Sequence, residues 1–135
     1  MLKLIVGVKG TGKTKELISE VNRASSETNG SVICIEKGTK LIHEITYHTR
    51  LVDTEEYDIN DASSLYGMVA GMYASNHDIT HIFIDSVLKI CKDDLSAFEV
   101  FVDKLNAFSE KNNINVIATS SIAKENLPQS VQKFA

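Results

Sequence analysis

One stretch constrains this chain more than any other: Gly7-Val8-Lys9-Gly10-Thr11-Gly12-Lys13-Thr14. Before it, Leu2 to Val8 reads as a buried strand. After it, Leu17, Ile18, Val21 and Ala24 fall on one face of a helix that begins near Lys13. A strand must therefore pass into a helix through a loop built on three glycines. Glycine reaches backbone angles that other residues avoid and puts no side chain in the way of a ligand. Such a loop can curl until successive N–H groups point inward at an anion. The helix adds its positive N-terminal end. With glycine at about 7% of residues, a random chain of this length matches the bare pattern G-x-x-x-x-G-K-[S/T] well under ~1% of the time.

The spacing assigns roles. Gly7, Lys9, Gly10, Thr11 and Gly12 form a phosphate cradle. Lys13 reaches the β- and γ-phosphates of a nucleotide, and the Thr14 hydroxyl is placed to ligate Mg²⁺. The remaining chain supports a sheet around this loop. Ser31 to Glu36 is a second buried strand, apolar at four consecutive positions, as expected when both faces are covered. Thr39 is a candidate cap for a helix striped by Leu41, Ile42 and Ile45. Arg50 to Asp53 is a candidate short strand. Asp61 or Ser63 caps a helix with Leu65, Met68, Val69 and Met72 inward, and Gly67 and Gly71 are expected to pack closely against a neighbour.

Thr80-His81-Ile82-Phe83-Ile84-Asp85 is a third apolar strand, ending abruptly in a carboxylate. Phe98, Val102 and Leu105 stripe the next helix. Asn115 to Ser120 is a last buried strand ending in hydroxyls, and Leu127, Val131 and Phe134 are spaced for one short docking helix. Strands alternating with helices imply βαβ units and a mainly parallel sheet of about five strands in a three-layer α/β/α domain spanning 1–135. Ligands then bind at the carboxyl ends of the strands, where the glycine loop and Asp85 both fall.

The 135 residues suffice for one core, and 43% hydrophobic with 24% charged residues is ordinary for a soluble globular domain. A formal net charge of −4 gives no support to nucleic-acid binding. No apolar run reaches the length of a membrane span, and the N-terminus runs straight into a strand. Cys34 and Cys91 match no metal spacing, so the reducing cytoplasm is the expected location. His77 and His81 straddle a helix end and a strand start, which argues against a shared metal.

These parts resemble the P-loop NTPases, and their order is similar to the RecA-like ATPase core. Gly7 to Thr14 corresponds to Walker A, Ile82 to Asp85 to Walker B, and Val116 to Ser120 to the strand that ends in a polar sensor. The resemblance covers most of residues 1 to 121. It implies ATP and Mg²⁺ as ligands, with Asp85 holding the metal opposite Thr14. It also implies that the last strand lies between the Walker A and Walker B strands. Asp85 is followed by Ser86, so a water-activating glutamate is not adjacent to it. Glu36, at the end of the neighbouring strand, is the candidate. Thr119 or Ser120 is the candidate γ-phosphate sensor. An arginine finger is Arg50, a lysine such as Lys124, or a group from another chain.

Three functions fit. The first is a Mg²⁺-dependent ATPase. The second is a non-hydrolysing nucleotide-dependent module that engages a protein partner or a second copy, with the glycine-loop strand as an exposed sheet edge. The third is a small-molecule kinase. With Arg23 and Arg50 as the only arginines, an arginine-bearing lid is hard to build.

Overall fold

The computed structural model describes residues 1–135. Strands β1 (Leu2–Gly7), β2 (Ser31–Glu36), β3 (Arg50–Asp53), β4 (Ile79–Ile84) and β5 (Asn115–Ser121) are joined by helices α1 (Lys13–Glu27) after β1, α2 (Ala62–Ser75) after β3, and α3 (Val87–Ile90) and α4 (Leu95–Asn112) after β4, with only turns between β2 and β3. The strands form one sheet in the order β1-β5-β4-β2-β3, with every neighbouring pair parallel. β5 lies between β1 and β4, the place expected of it. β1 and β3 are the outer strands.

Alternation along the strands builds two cores. Ile5, Val32, Cys34, Phe83 and Ile117 face α1, meeting Leu17, Val21 and Ala24. Leu4, Ile33, Ile35, Ile82, Ile84, Val116 and Ala118 face the other way, against Leu65 and Val69 of α2 and Phe98, Phe101, Val102 and Leu105 of α4. Leu17 and Val21 are completely buried. Each stabilises the fold by roughly 1.5–3 kcal/mol, and together they clamp α1, and so the loop that precedes it, to the sheet.

Helix ends follow local chemistry. Asp61 and Ser64 make a reciprocal capping box at the start of α2. Asp94 accepts from the Ala97 N–H at the start of α4. α1 starts at Gly12 with no side-chain cap at all.

Three expectations are corrected. The stripe of Leu41, Ile42 and Ile45 is not a helix but a run of turns, with Leu41 and Ile45 buried and Ile42 56% exposed. Asn22 of α1 explains the arrest. Its side chain donates to the Glu44 carbonyl and accepts from the Thr46 N–H, so those backbone groups do not continue a helical ladder. The tail is two 3₁₀ segments, Lys124–Asn126 and Gln129–Phe134, broken at Pro128, which has no N–H to give. Leu127 and Val131 are nonetheless buried against the core. Gly67 and Gly71 do not pack against a neighbour. They lie on the outer face of α2, and a Cβ at either would meet open space.

Candidate functional site

The loop between β1 and α1 owes its shape to Gly10 and Gly12, with φ of 87° and 85°. These lie in the left-handed region, where a side chain would be strained. The Thr11 hydroxyl and the Lys13 ammonium both donate to the Val8 carbonyl, at 2.8 and 2.9 Å, and tie the loop across itself. The first hydrogen bond of α1 runs from the Glu16 N–H to the Gly12 carbonyl, 3.1 Å. The N–H groups of Lys13, Thr14 and Lys15 precede it and are free to bind an anion.

Asp85 follows β4 directly. Its N–H donates to the Ile35 carbonyl at 2.8 Å, which seats it against β2. The Thr14 hydroxyl lies 3.2 and 3.3 Å from its two carboxylate oxygens. The Thr119 hydroxyl donates to Oδ1 at 2.6 Å and accepts from the Ser86 N–H at 2.8 Å. Ser86 reaches this geometry with φ of 59°, an uncommon conformation for a residue with a side chain. Three elements, α1, β4 and β5, thus meet on one carboxylate. Of the two sensor candidates, Thr119 faces this cluster. Ser120 faces the opposite side of the sheet, where its hydroxyl is buried without a hydrogen-bond partner.

Glu36 is placed differently. It is 3% exposed. Oε1 accepts from the Lys40 N–H and Oε2 from the Leu41 N–H, both at 3.1 Å. Burial raises its pKa above the ordinary value. The two N–H bonds pull the other way, and the carboxylates of Asp85 and Asp53 push it further up. The neighbouring Cys34 thiol, buried in mid-strand, is pushed up to about 12, first by desolvation and then by Glu36 and Asp85. It is a core residue, not a nucleophile.

A cleft of about 590 Å³ opens over the glycine loop. Gly10, Gly12, Thr14, Thr119, Ser86 and Ser121 line it, together with Lys9, Lys13, Lys15, Lys40 and Lys89. Asp93 is the one acid on its wall. The glycine-loop pattern marks Lys9 and Lys13 but not Lys15, Lys40 and Lys89. A signal was there for the last two: each lies four residues beyond the acid that ends or follows its strand, on the ligand-binding side of a parallel sheet. Arg50 lines a separate cleft of about 360 Å³ beside β3, and the Lys124 ammonium donates to the Ala135 carbonyl. Neither reaches the loop's cleft.

The donor set fits a hard divalent cation. Thr14 and Asp85 offer a hydroxyl and a carboxylate side by side, the few protein oxygens that Mg²⁺ takes when phosphates and water complete its shell. Mg²⁺ bound there would neutralise charge on the phosphates. No cluster of three or more His, Cys, Asp or Glu side chains forms a self-sufficient metal cage, and His77 stacks on Tyr73 instead. No helix is long and apolar enough to cross a membrane. No protein-family model matches the chain, and no curated protein does.

Proposed function

We propose that this chain is a small Mg²⁺-dependent ATP-binding protein of the RecA-like P-loop type, and that it hydrolyses ATP. One observation carries the reading. A glycine loop with two left-handed residues opens an uncapped helix, and the second residue of that helix, Thr14, touches the carboxylate that follows β4. Anion cradle and cation ligands thus lie at one edge of one sheet. The loop N–H groups and Lys13 hold the phosphates, while Thr14 and Asp85 hold Mg²⁺. Thr119 orients Asp85 and is the candidate γ-phosphate sensor. Glu36 is the candidate base. Its raised pKa makes it a stronger proton acceptor, and each of its oxygens keeps a lone pair beyond the one given to the backbone.

A second reading rests on the same residue. Glu36 is buried and bonded at both oxygens, which suits a structural acid as well as a base. The chain is then a nucleotide-gated module that binds without turnover and presents its outer strand to a protein partner or a second copy. Phosphate release from Mg²⁺–ATP, measured beside Lys13→Ala and Glu36→Gln, separates the two. Turnover lost in both variants, with binding kept in Glu36→Gln, supports the ATPase. Tight Lys13-dependent binding with no turnover supports the module. Absence of binding to any Mg²⁺–nucleotide removes both.

A further inference from the structure

We infer that this cleft selects its ligand by the polyphosphate chain and not by the base, so that any nucleoside triphosphate, and inorganic tripolyphosphate itself, fits it. The inference rests on the nucleotide reading above and narrows it. Five lysines line the cleft against Asp93, with the Asp85 carboxylate just behind Thr14 and Thr119, which still leaves a local excess of positive charge in a chain whose net charge is −4. Lysine is a compact point charge that suits phosphate oxygens and discriminates poorly among planar groups.

Three of the lysines, Lys9, Lys13 and Lys15, sit at the loop and the start of its helix, and two come from other segments, so the charge extends beyond the loop itself. Lys13 belongs to the start of α1, and Lys89 to α3 just after the left-handed Ser86. Lys40 sits in the turn after β2, where the Glu36 carboxylate holds its backbone N–H. Glu36 therefore serves as a positioning residue for one of the phosphate-binding cations.

The cleft's own lining offers little to a base. Base recognition needs an apolar slot or a stacking ring, with polar groups aimed at the ring edge. The one apolar side chain on the wall is Leu88, and it is itself buried, at 7% exposure. No aromatic side chain lines the cleft. The exposed Tyr57 lines the separate cleft beside β3.

The test is calorimetric titration of the full chain in Mg²⁺ with ATP, GTP, CTP, UTP and inorganic tripolyphosphate, repeated on Lys13→Ala, Lys40→Ala and Lys89→Ala. The four nucleotides should bind within about threefold of one another, whereas a site that hydrogen-bonds its substrate's polar groups discriminates by orders of magnitude. Tripolyphosphate should displace ATP. Lys40→Ala and Lys89→Ala should each weaken all five ligands by a similar factor, about fivefold, and added salt should shrink that loss. A preference above about tenfold for one base overturns the inference, as does ATP binding that depends on Lys13 but is not displaced by tripolyphosphate. Either result leaves the nucleotide reading standing. If neither ATP nor tripolyphosphate binds in a Lys13-dependent way, both readings fall.

Discussion

Strands β2 and β4 lie side by side, and each delivers an acid to the same edge of the sheet, yet the two acids live in different chemistry. Asp85 is held by side-chain hydroxyls, those of Thr14 and Thr119. Glu36 is held by main-chain N–H groups, those of Lys40 and Leu41. A hydroxyl rotates and is both donor and acceptor, so it can release a carboxylate to a cation without any movement of the chain. A backbone N–H is fixed by the fold. Glu36 can be released only if the turn after β2 opens, and that turn also buries Leu41. Position at a strand end is therefore a poor guide to role, and the partners of each carboxylate separate an exchangeable site from a structural tie.

The sharpest way to break this comparison is to remove each acid and ask whether stability or binding suffers. Glu36→Ala leaves the buried Leu41 N–H without a partner, while the exposed Lys40 can turn its N–H to water, and a buried orphan costs about 1–3 kcal/mol, so a loss of about 2 kcal/mol is expected in a denaturant melt. A cost below about 1 kcal/mol would show that the tie is dispensable. Asp85→Asn should do the reverse. The amide oxygen still accepts from Thr14 and Thr119, so stability should stay within about 1 kcal/mol of wild type. The charge is gone, however, and the increment that Mg²⁺ adds to ATP binding should fall by at least roughly 30-fold, since truncating one partner of a paired charge costs about 2–5 kcal/mol. Titrations with and without Mg²⁺ read this directly. An unchanged increment would leave Asp85 as a helix-and-sheet connector only.

Much of the fold was legible because its signals were strong and local. Strands covered on both faces read as apolar runs, and Leu17, Val21 and Ala24 gave α1 its period. The meeting of Gly7 to Thr14 with Asp85 at one sheet edge was legible for a different reason: both lie at the carboxyl ends of parallel strands. Failures came where a distant residue decided a local outcome. Asn22, two dozen residues away in sequence, arrests the turn at Glu44 and Thr46. Nothing in the run of Leu41, Ile42 and Ile45 announces it. Lys40 and Lys89 stand in no pattern, since a single lysine carries none, and only the assembled sheet brings them to the cleft that Lys13 lines. Glu36 was found as an acid at a strand end, but its backbone partners depend on how the following turn folds back.

The smallest expected effect tests which force governs Glu36. Burial raises its pKa above the ordinary 4.5, the N–H bonds from Leu41 and Lys40 oppose this, and the carboxylates of Asp85 and Asp53 add to it. The folded chain then holds this proton more tightly than the unfolded chain. Wherever the native state binds more protons, stability falls as pH rises. The contribution of Glu36 is thus fully present below 4.5 and is lost as pH climbs through the raised folded value. Glutamine at this position keeps one acceptor and does not titrate. Glu36→Gln should therefore be the less stable protein in acid and should gain on wild type as pH approaches neutrality. Adding Asp85→Asn removes one of the charges that raises the pKa, so the gain should shrink in that background. Paired thermal melts across the acid-to-neutral range measure both differences. A gain in the opposite direction would mean that the two N–H bonds outweigh burial and hold Glu36 as a carboxylate. The structural tie would then be an anion cap, strongest at neutral pH, and the contrast with Asp85 would rest on partner geometry alone.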